Sequence, residues 1–386
     1  MLTRVTEAAP AADDVAVPIA RATYPAPFPS SLEFNAPVHG TWNIVHTGML
    51  VPGAHQIYVC GQNCIRGVVM TAAEMNALDR FSLVVLDEMN LVDGDLEKFT
   101  VEGVADVIDK LPEHPPVVLL FTVCVHHFAG CDIGYVYRSL RQRFPDIFFA
   151  ESYMDPIRQK EHLTPEQKLR RSMFDALEKR PFDRRSVSVL GSDFALDEDA
   201  DLLALIRGGG FEAPQIQDCR TFSEYQRLAA SPLIACTYPT ARFGIETLCR
   251  RLGARCLYLP SCFGYEENVR HLGDLAYALG MPRPDCDDRM LHADKELEKA
   301  RHVVGERRIV IDQNVHPRPL GLARLLVEHG FSVWRVHLDS VRPEEKDDFY
   351  WLAAHAPDLE LLPLIQPSMR VAARGCDDPV LAIGQW

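Results

Sequence analysis

Residues 55–70, HQIYVCGQNCIRGVVM, and residues 117–140, VVLLFTVCVHHFAGCDIGYVYRSL, decide the fold. In each, a short β-branched or aliphatic run ends at a cysteine, Cys60 or Cys124, and amphipathic helical spacing follows. The runs 56–59 and 117–123 are predicted strands, and 65–78 and 133–143 are predicted helices. Strand and helix alternating in this way mark parallel α/β units.

The same grammar spreads outward from these two stretches. The first unit gains a strand at 83–86 and a helix at 101–111. A second unit runs through strands 186–191, 233–236 and 256–259, with helices 200–207 and 240–252. A third follows with strands 308–312, 332–337 and 359–362 around a helix at 320–329. The charged stretches 164–180 and 285–306 are predicted connecting helices with solvated faces. Six prolines among the first 37 residues (Pro10, Pro18, Pro25, Pro27, Pro29, Pro37) predict an extended arm, not a helix or a packed strand. The expected division is an arm at 1–37 and α/β domains at 38–184, 185–300 and 301–386. Residues 380–386, VLAIGQW, read as a buried strand, and because a parallel strand needs a covering helix, the chain is expected to continue past Trp386.

A chain of 386 residues with 47% apolar and 24% charged residues can bury several cores without disulfide support. Its net charge of −14 lacks the basic footprint of a nucleic-acid binder. No apolar run approaches the roughly 18 residues of a membrane helix, and the N-terminus lacks a secretory pattern, so no membrane partner and a cytoplasmic location are expected. Eleven cysteines, an odd number, then point to thiols or metal ligands instead of a disulfide framework.

Cys60 and Cys124 stand at carboxyl ends of predicted parallel strands, the edge where open α/β sheets place their ligands. Helix N-termini at that edge favour anionic thiolates, and thiolate is a soft ligand suited to iron-sulfur clusters or zinc. His126 and His127 beside Cys124 keep zinc open, although no C-x2-C pair is present. A free cysteine is also a small apolar core residue, and Cys219, Cys249, Cys256, Cys262, Cys286 and Cys376 take that reading. Gly208–Gly210 read as a helix end, because no Lys-Ser/Thr follows to make a phosphate loop. Neither G-x-G-x-x-G nor G-x-S-x-G occurs. The acidic pair Asp87 and Glu88 reads as a solvated loop without a catalytic role.

Several segments, taken in order, resemble nitrogenase component 1, specifically its cofactor-bearing α-type subunit. His55 followed by Cys60-Gly61-Gln62 is similar to the H-x4-C-G-Q segment of that family, and Thr122-Val123-Cys124 with Gly130-Cys131-Asp132-Ile133 is similar to its T-C-x5-G-D-D-I segment. Leu233-Ile234-Ala235-Cys236 resembles the segment that holds one end of the catalytic cofactor, and residues 308–330 resemble a strand and helix of its third domain. The resemblance covers about residues 39–386. It implies three Rossmann-like parallel-sheet domains with metal clusters between them. It implies that Cys60 and Cys124 ligate an iron-sulfur cluster at a subunit interface, and that Cys236 anchors a second iron-sulfur-based catalytic cofactor with Gln62 and Arg66 nearby.

Two departures matter. No cysteine precedes Cys60, where the family has a further cluster ligand, and Cys64 is the available substitute. The interface cluster is then eight-iron or 4Fe-4S according to whether three or two thiolates come from each subunit. Cys131 replaces the first Asp of the family motif and adds another possible ligand. The segment VHGTWNIVHTGMLVPGAHQIYVC, residues 38–60, is similar to the nitrogenase-like group that includes methylthio-alkane reductase. That implies a reductase of small methyl thioethers with a β-type partner subunit and an ATP-dependent iron-protein electron donor. A tetrapyrrole reductase subunit and a cofactor-assembly scaffold of the same superfamily are the alternatives.

Overall fold

The structure is a computed structural model, and it describes residues 15–29, 42–92, 94–366 and 378–384. In chain order its strands are β1 (Val17–Pro18), β2 (His55–Gly61), β3 (Phe81–Leu86), β4 (Val117–Val123), β5 (Phe148–Met154), β6 (Val187–Leu190), β7 (Leu233–Cys236), β8 (Arg255–Tyr258), β9 (Arg308–Asp312), β10 (Val333–His337), β11 (Glu360–Leu362) and β12 (Val380–Ile383). They form three sheets in the orders β3-β2-β4-β5, β6-β7-β8 and β1-β11-β10-β9-β12. Every pairing is parallel except β1 with β11. The expected class, α/β with three parallel-sheet units, is therefore the observed one. By packing, the described residues of 36–260 form one compact unit with the first two sheets, and those of 1–35 and 261–386 form another with the third. The helix Asp287–Val304, predicted as a connecting helix, lies within that latter unit.

In the first sheet β2 and β4 are the inner strands, and all seven residues of β4 are buried, as expected for a parallel strand covered on both faces. Alternation sends Ile57 and Val59 to one core and Tyr58 and Cys60 to the other. The Tyr58 ring stacks on Phe121 of β4 with centroids 4.2 Å apart. Its hydroxyl donates to Gln56 Oε1 at 2.8 Å, and Gln56 Nε2 donates to the Val45 carbonyl, so the buried polar atoms are partnered. The helix Leu96–Lys110 begins earlier than predicted because Leu96 and Thr100 share the buried face of Val104 and Ile108. The helix Ile65–Glu74 ends sooner, with Asn76 just beyond it in the left-handed conformation at φ 52°.

Two sequence readings are corrected. Val17–Pro18 is a packed strand on β11, with Val17 opposite Leu361, and Ile19 is buried in the third core. This part of the Pro-rich stretch covers the open edge of its own sheet, where unpaired backbone groups need partners; residues 1–14 and 30–37 lie outside those described. The strand Val380–Ile383 pairs with β9, but Val380, Leu381 and Ala382 are exposed instead of buried, because among the described residues nothing covers them. No helix among the described residues is long and apolar enough to cross a membrane.

One ionic node joins the first two sheets. Arg170, on the helix Pro165–Asp175, is 3% exposed. Its Nε donates to Glu166 at 3.0 Å, and its Nη1 donates to the Gly191 carbonyl at 2.9 Å and forms an ion pair with Asp193 Oδ1 at 2.8 Å. Its guanidinium also lies 4.8 Å from the centroid of the Tyr238 ring. Burial alone would raise the Asp193 pKa, yet the adjacent Arg170 brings it down to about 2. Nearby, Gly244 lets the helix Arg242–Leu252 approach the same Arg170-bearing helix, since a Cβ there would stand 2.9 Å from Arg171 Cα.

Two outcomes follow for stability. Gly244→Ala should cost about 1–3 kcal/mol in urea denaturation, because the contacting atom is backbone and cannot turn aside. Because the folded Asp193 pKa is depressed, its stabilisation is present above about pH 4 and lost as pH falls toward 2. Over that window the wild type should lose roughly 2 kcal/mol more than Asp193→Asn; parallel acid profiles would refute the assignment.

Candidate metal centre

The first sheet delivers its chemistry through register. Tyr58 lies level with Phe121 at the last pair of the ladder; Cys60 stands two residues further along β2, and Cys124 directly follows β4. Val123 lies level with Met154, and Asp155 follows β5 at the same edge. Cys60, Cys124 and Asp155 thus mark the carboxyl ends of three adjacent parallel strands, where such sheets carry their sites.

Cys60 is fully buried on the Tyr58 face, and its thiol pKa is pushed up to about 12, first by burial and then by Cys64. Cys64 is exposed and forms the N-cap of the helix Ile65–Glu74. Cys124 is half-buried at the first position of the helix Cys124–Phe128, and its thiol is raised by burial, then by Cys64 and Asp155. Cys64 therefore acts electrostatically on both other thiols. Helix N-termini favour thiolate at two of these positions, but at Cys124 desolvation outweighs that effect. Gln62 and Arg66 are exposed beside Cys64, one in the turn Gln62–Cys64 and one in the first turn of the following helix.

The histidines next to Cys124 have other tasks. His126 is buried, Nδ1 accepts from the Val123 amide at 3.3 Å, and Nε2 faces Thr100 Oγ1 at 3.2 Å. Burial lowers its pKa to about 4, so it is neutral, with both nitrogens committed to structure. His127 Nδ1 lies 3.3 Å from Asp155, a buried carboxylate that also meets Arg158 Nε at 3.3 Å. A zinc site drawing on His126 does not fit this arrangement. His127, Asp155, Arg158 and Cys131 line a cavity of about 250 Å³. The Cys131 thiol is itself pushed up to about 12 by burial and by Glu97.

Cys236 sits apart from these thiols. It ends β7 in the second sheet, is fully buried, and has its sulfur 3.6 Å from the Tyr238 carbonyl. Its pKa is pushed up to about 12 chiefly by burial, and the charged or ionisable neighbours that modify this are Cys256, Glu246 and Arg242. Cys249 and Cys256 interact with each other through their thiols in the same core region. Cys376 lies outside the described residues.

Sequence reading missed Asp155 and Arg158, because β5 itself went unrecognised. Its run FFAESYM carries an exposed Glu151 at the centre, which breaks the apolar pattern of a strand. The available signal was the Asp-Pro that closes the run at Asp155-Pro156.

Thiol exposure makes a prediction for metal-free protein. An alkylating reagent at pH 8 should modify Cys64 first and leave Cys60 and Cys236 unmodified until the protein unfolds, since only accessible thiolate reacts. Because their folded pKa values are raised, both buried thiols stabilise the fold below about pH 9 relative to higher pH, and stability should decline from there toward 12. Mass-spectrometric mapping and urea midpoints at pH 8 and 10 check both statements. Early modification of Cys60 would contradict its burial.

Comparison with known proteins adds the relation this geometry suggests. No curated protein matches the sequence. Among solved structures, "Nitrogenase Cp1 at pH 6.5" superposes with a TM-score of 0.65 at 11% identity, over 87% of this chain and 79% of that one. "Nitrogenase Cp1 at pH 5" gives 0.55 at 12% identity, over 89% and 80%. At these identities the likeness is one of fold. Residues 46–364, well over half the chain and spanning Cys60, Cys124 and Cys236, match the nitrogenase component 1 type oxidoreductases, and the chain belongs to that family.

Proposed function

We propose that this chain is the cluster-bearing catalytic subunit of a nitrogenase-like, ATP-dependent reductase. The observation that carries the proposal is the placement of Cys60 and Cys124 at the carboxyl ends of the adjacent strands β2 and β4, with Cys64 at the start of the helix that follows β2. Three thiols fit an iron-sulfur cluster shared with a β-type partner: the donors are soft, and the adjacent histidine His126 is engaged elsewhere. When bound, such a cluster stores and passes single electrons at potentials that reach roughly −700 mV. Cys60 and Cys124 surrender their protons when they become ligands, so cluster loading releases protons and is favoured by rising pH. The apolar surroundings of Cys60 exclude water from its side of the site. Gln62 and Arg66, exposed beside Cys64, are given a role toward substrate or cofactor by the family resemblance.

In this reading the electrons come from an ATP-dependent iron protein, Cys236 anchors a second iron-sulfur-based cofactor, and the complex works in the cytoplasm. The substrate is a small methyl thioether: two electrons and two protons break its carbon-sulfur bond to give methanethiol and a hydrocarbon. This substrate assignment rests on the resemblance of residues 38–60 and on Cys236. The burial of Cys236 favours a second reading, a tetrapyrrole reductase with one cluster, because a cofactor at Cys236 requires its core to open.

The test is a complex purified anaerobically with its neighbouring subunits. Cys60→Ala with Cys124→Ala should remove most of the interface iron, and either single change should lower activity about 10- to 100-fold or more. Gas chromatography of a reaction containing ATP, reductant and a methyl thioether should show methanethiol. Full iron content in the double variant refutes the cluster assignment. Reduction of an added tetrapyrrole without methanethiol replaces the substrate reading by the second one.

A further inference from the structure

A different set of donors stands in the unit that carries the third sheet. The helix Tyr265–Leu279 places Glu267 and His271 four residues apart on one face, and Cys262 precedes its N-terminus. The Cys262 sulfur is 3.9 Å from His271 Nδ1, and Glu267 Oε1 is 3.7 Å from His271 Nε2. One donor atom from each of the three residues lies within 4.8 Å of the others, and all three side chains are half-buried. The turn bearing Cys262 is held in place, since Asn268 Nδ2 donates to the Cys262 carbonyl at 3.2 Å and to the Gly264 carbonyl at 3.0 Å.

We infer that Cys262, Glu267 and His271 form a mononuclear site for a borderline-soft divalent cation of the zinc or cobalt type. Thiolate, imidazole and carboxylate are the donor types that zinc takes, and three protein ligands leave one position for water or a ligand. Its surroundings support the carboxylate. Arg318, 3% exposed, donates Nη1 to Glu267 Oε2 at 2.8 Å, which fixes the carboxylate and leaves Oε1 directed to the site. The charge of Arg318 is already met by Asp348 at 3.3 Å, and its Nη2 also donates to the Glu344 carbonyl. Arg270, 3.7 Å from Glu267 Oε1, is a surface cation that opposes the ion, and two anionic ligands, carboxylate and thiolate, offset it. Glu267 also borders a cavity of about 540 Å³, so the site has an approach from solvent. Burial and Glu267 keep the proton on Cys262, and metal uptake must expel it.

The site lies outside the Cys60 edge and is tested separately from it. Chelator-treated full-length protein is titrated anaerobically with Co²⁺, reading the ligand-field and thiolate charge-transfer bands, and then with Zn²⁺ in competition. Cys262→Ser and His271→Gln should each weaken one equivalent of binding at least about tenfold and remove its charge-transfer contribution. Cys286→Ser, on the same unit, should leave that equivalent unchanged. Circular dichroism shows which variants are folded. For the case in which both ligand variants fail to fold, zinc-soaked wild-type crystals supply an anomalous map at the zinc edge. Unchanged stoichiometry and bands in the folded variants, or no anomalous peak bridging the Cys262 sulfur and His271, overturns the inference.

Discussion

The buried guanidinium of Arg170 is the constraint on which the unit carrying the first two sheets depends. It lies in a helix that packs on β5, and it ties Glu166 of its own helix to Asp193 and the Gly191 carbonyl in the loop after β6. Thr47 donates to Asp193 as well, so the helix Ile44–Met49 is anchored to the same group. A buried cation without these partners would cost several kcal/mol, and the geometry is correspondingly specified. The two sheets share one apolar core around this node, from Tyr58 and Phe121 to Ile234 and Ile245. A shift of the Arg170 helix would therefore disturb both the packing below Cys60 and that around Cys236.

That arrangement explains how the thiols differ. Cys60 and Cys236 end strands within the same apolar core, and burial holds protons on both. Cys124 and Cys64 stand at helix beginnings nearer to solvent, which makes them accessible and brings Cys64 into electrostatic contact with the other two. This edge therefore combines one fixed, dry thiol with two that solvent can reach. The buried Asp155, held by His127 and Arg158, brings polar side chains to the same edge.

Much of this was legible residue by residue. The run 117–123 is apolar at every position except Thr122, as a strand covered on both faces must be, and the predicted strand matches the observed one. Leu233–Cys236, Arg308–Asp312 and Ile133–Arg143 agree in the same way, the last because Asp132 supplies an N-cap to the Tyr135 amide. Elements whose stability comes from one-sided packing were harder to read. β5 carries Glu151 on an exposed position, which breaks its apolar pattern, and the helix Tyr265–Leu279 fully buries only Leu275 and Ala276. Val17–Pro18 reads as an extended arm until β11 is present to pair with it.

By itself, the sequence determined the alternation of strand and helix and the placing of Cys60 and Cys124 at strand ends, because both follow from local hydrophobic period and chain order. Only the tertiary structure decided which donors meet. The parallel sheet sets the ends of β2 and β4 side by side, buried hydrogen bonds engage both ring nitrogens of His126, and the turn before residue 265 brings Cys262 onto Glu267 and His271. Cysteine spacing could not distinguish these outcomes, since a thiol that fills a core and a thiol that binds metal share the same local pattern. What separates them is the set of groups that folding brings from distant positions in the chain.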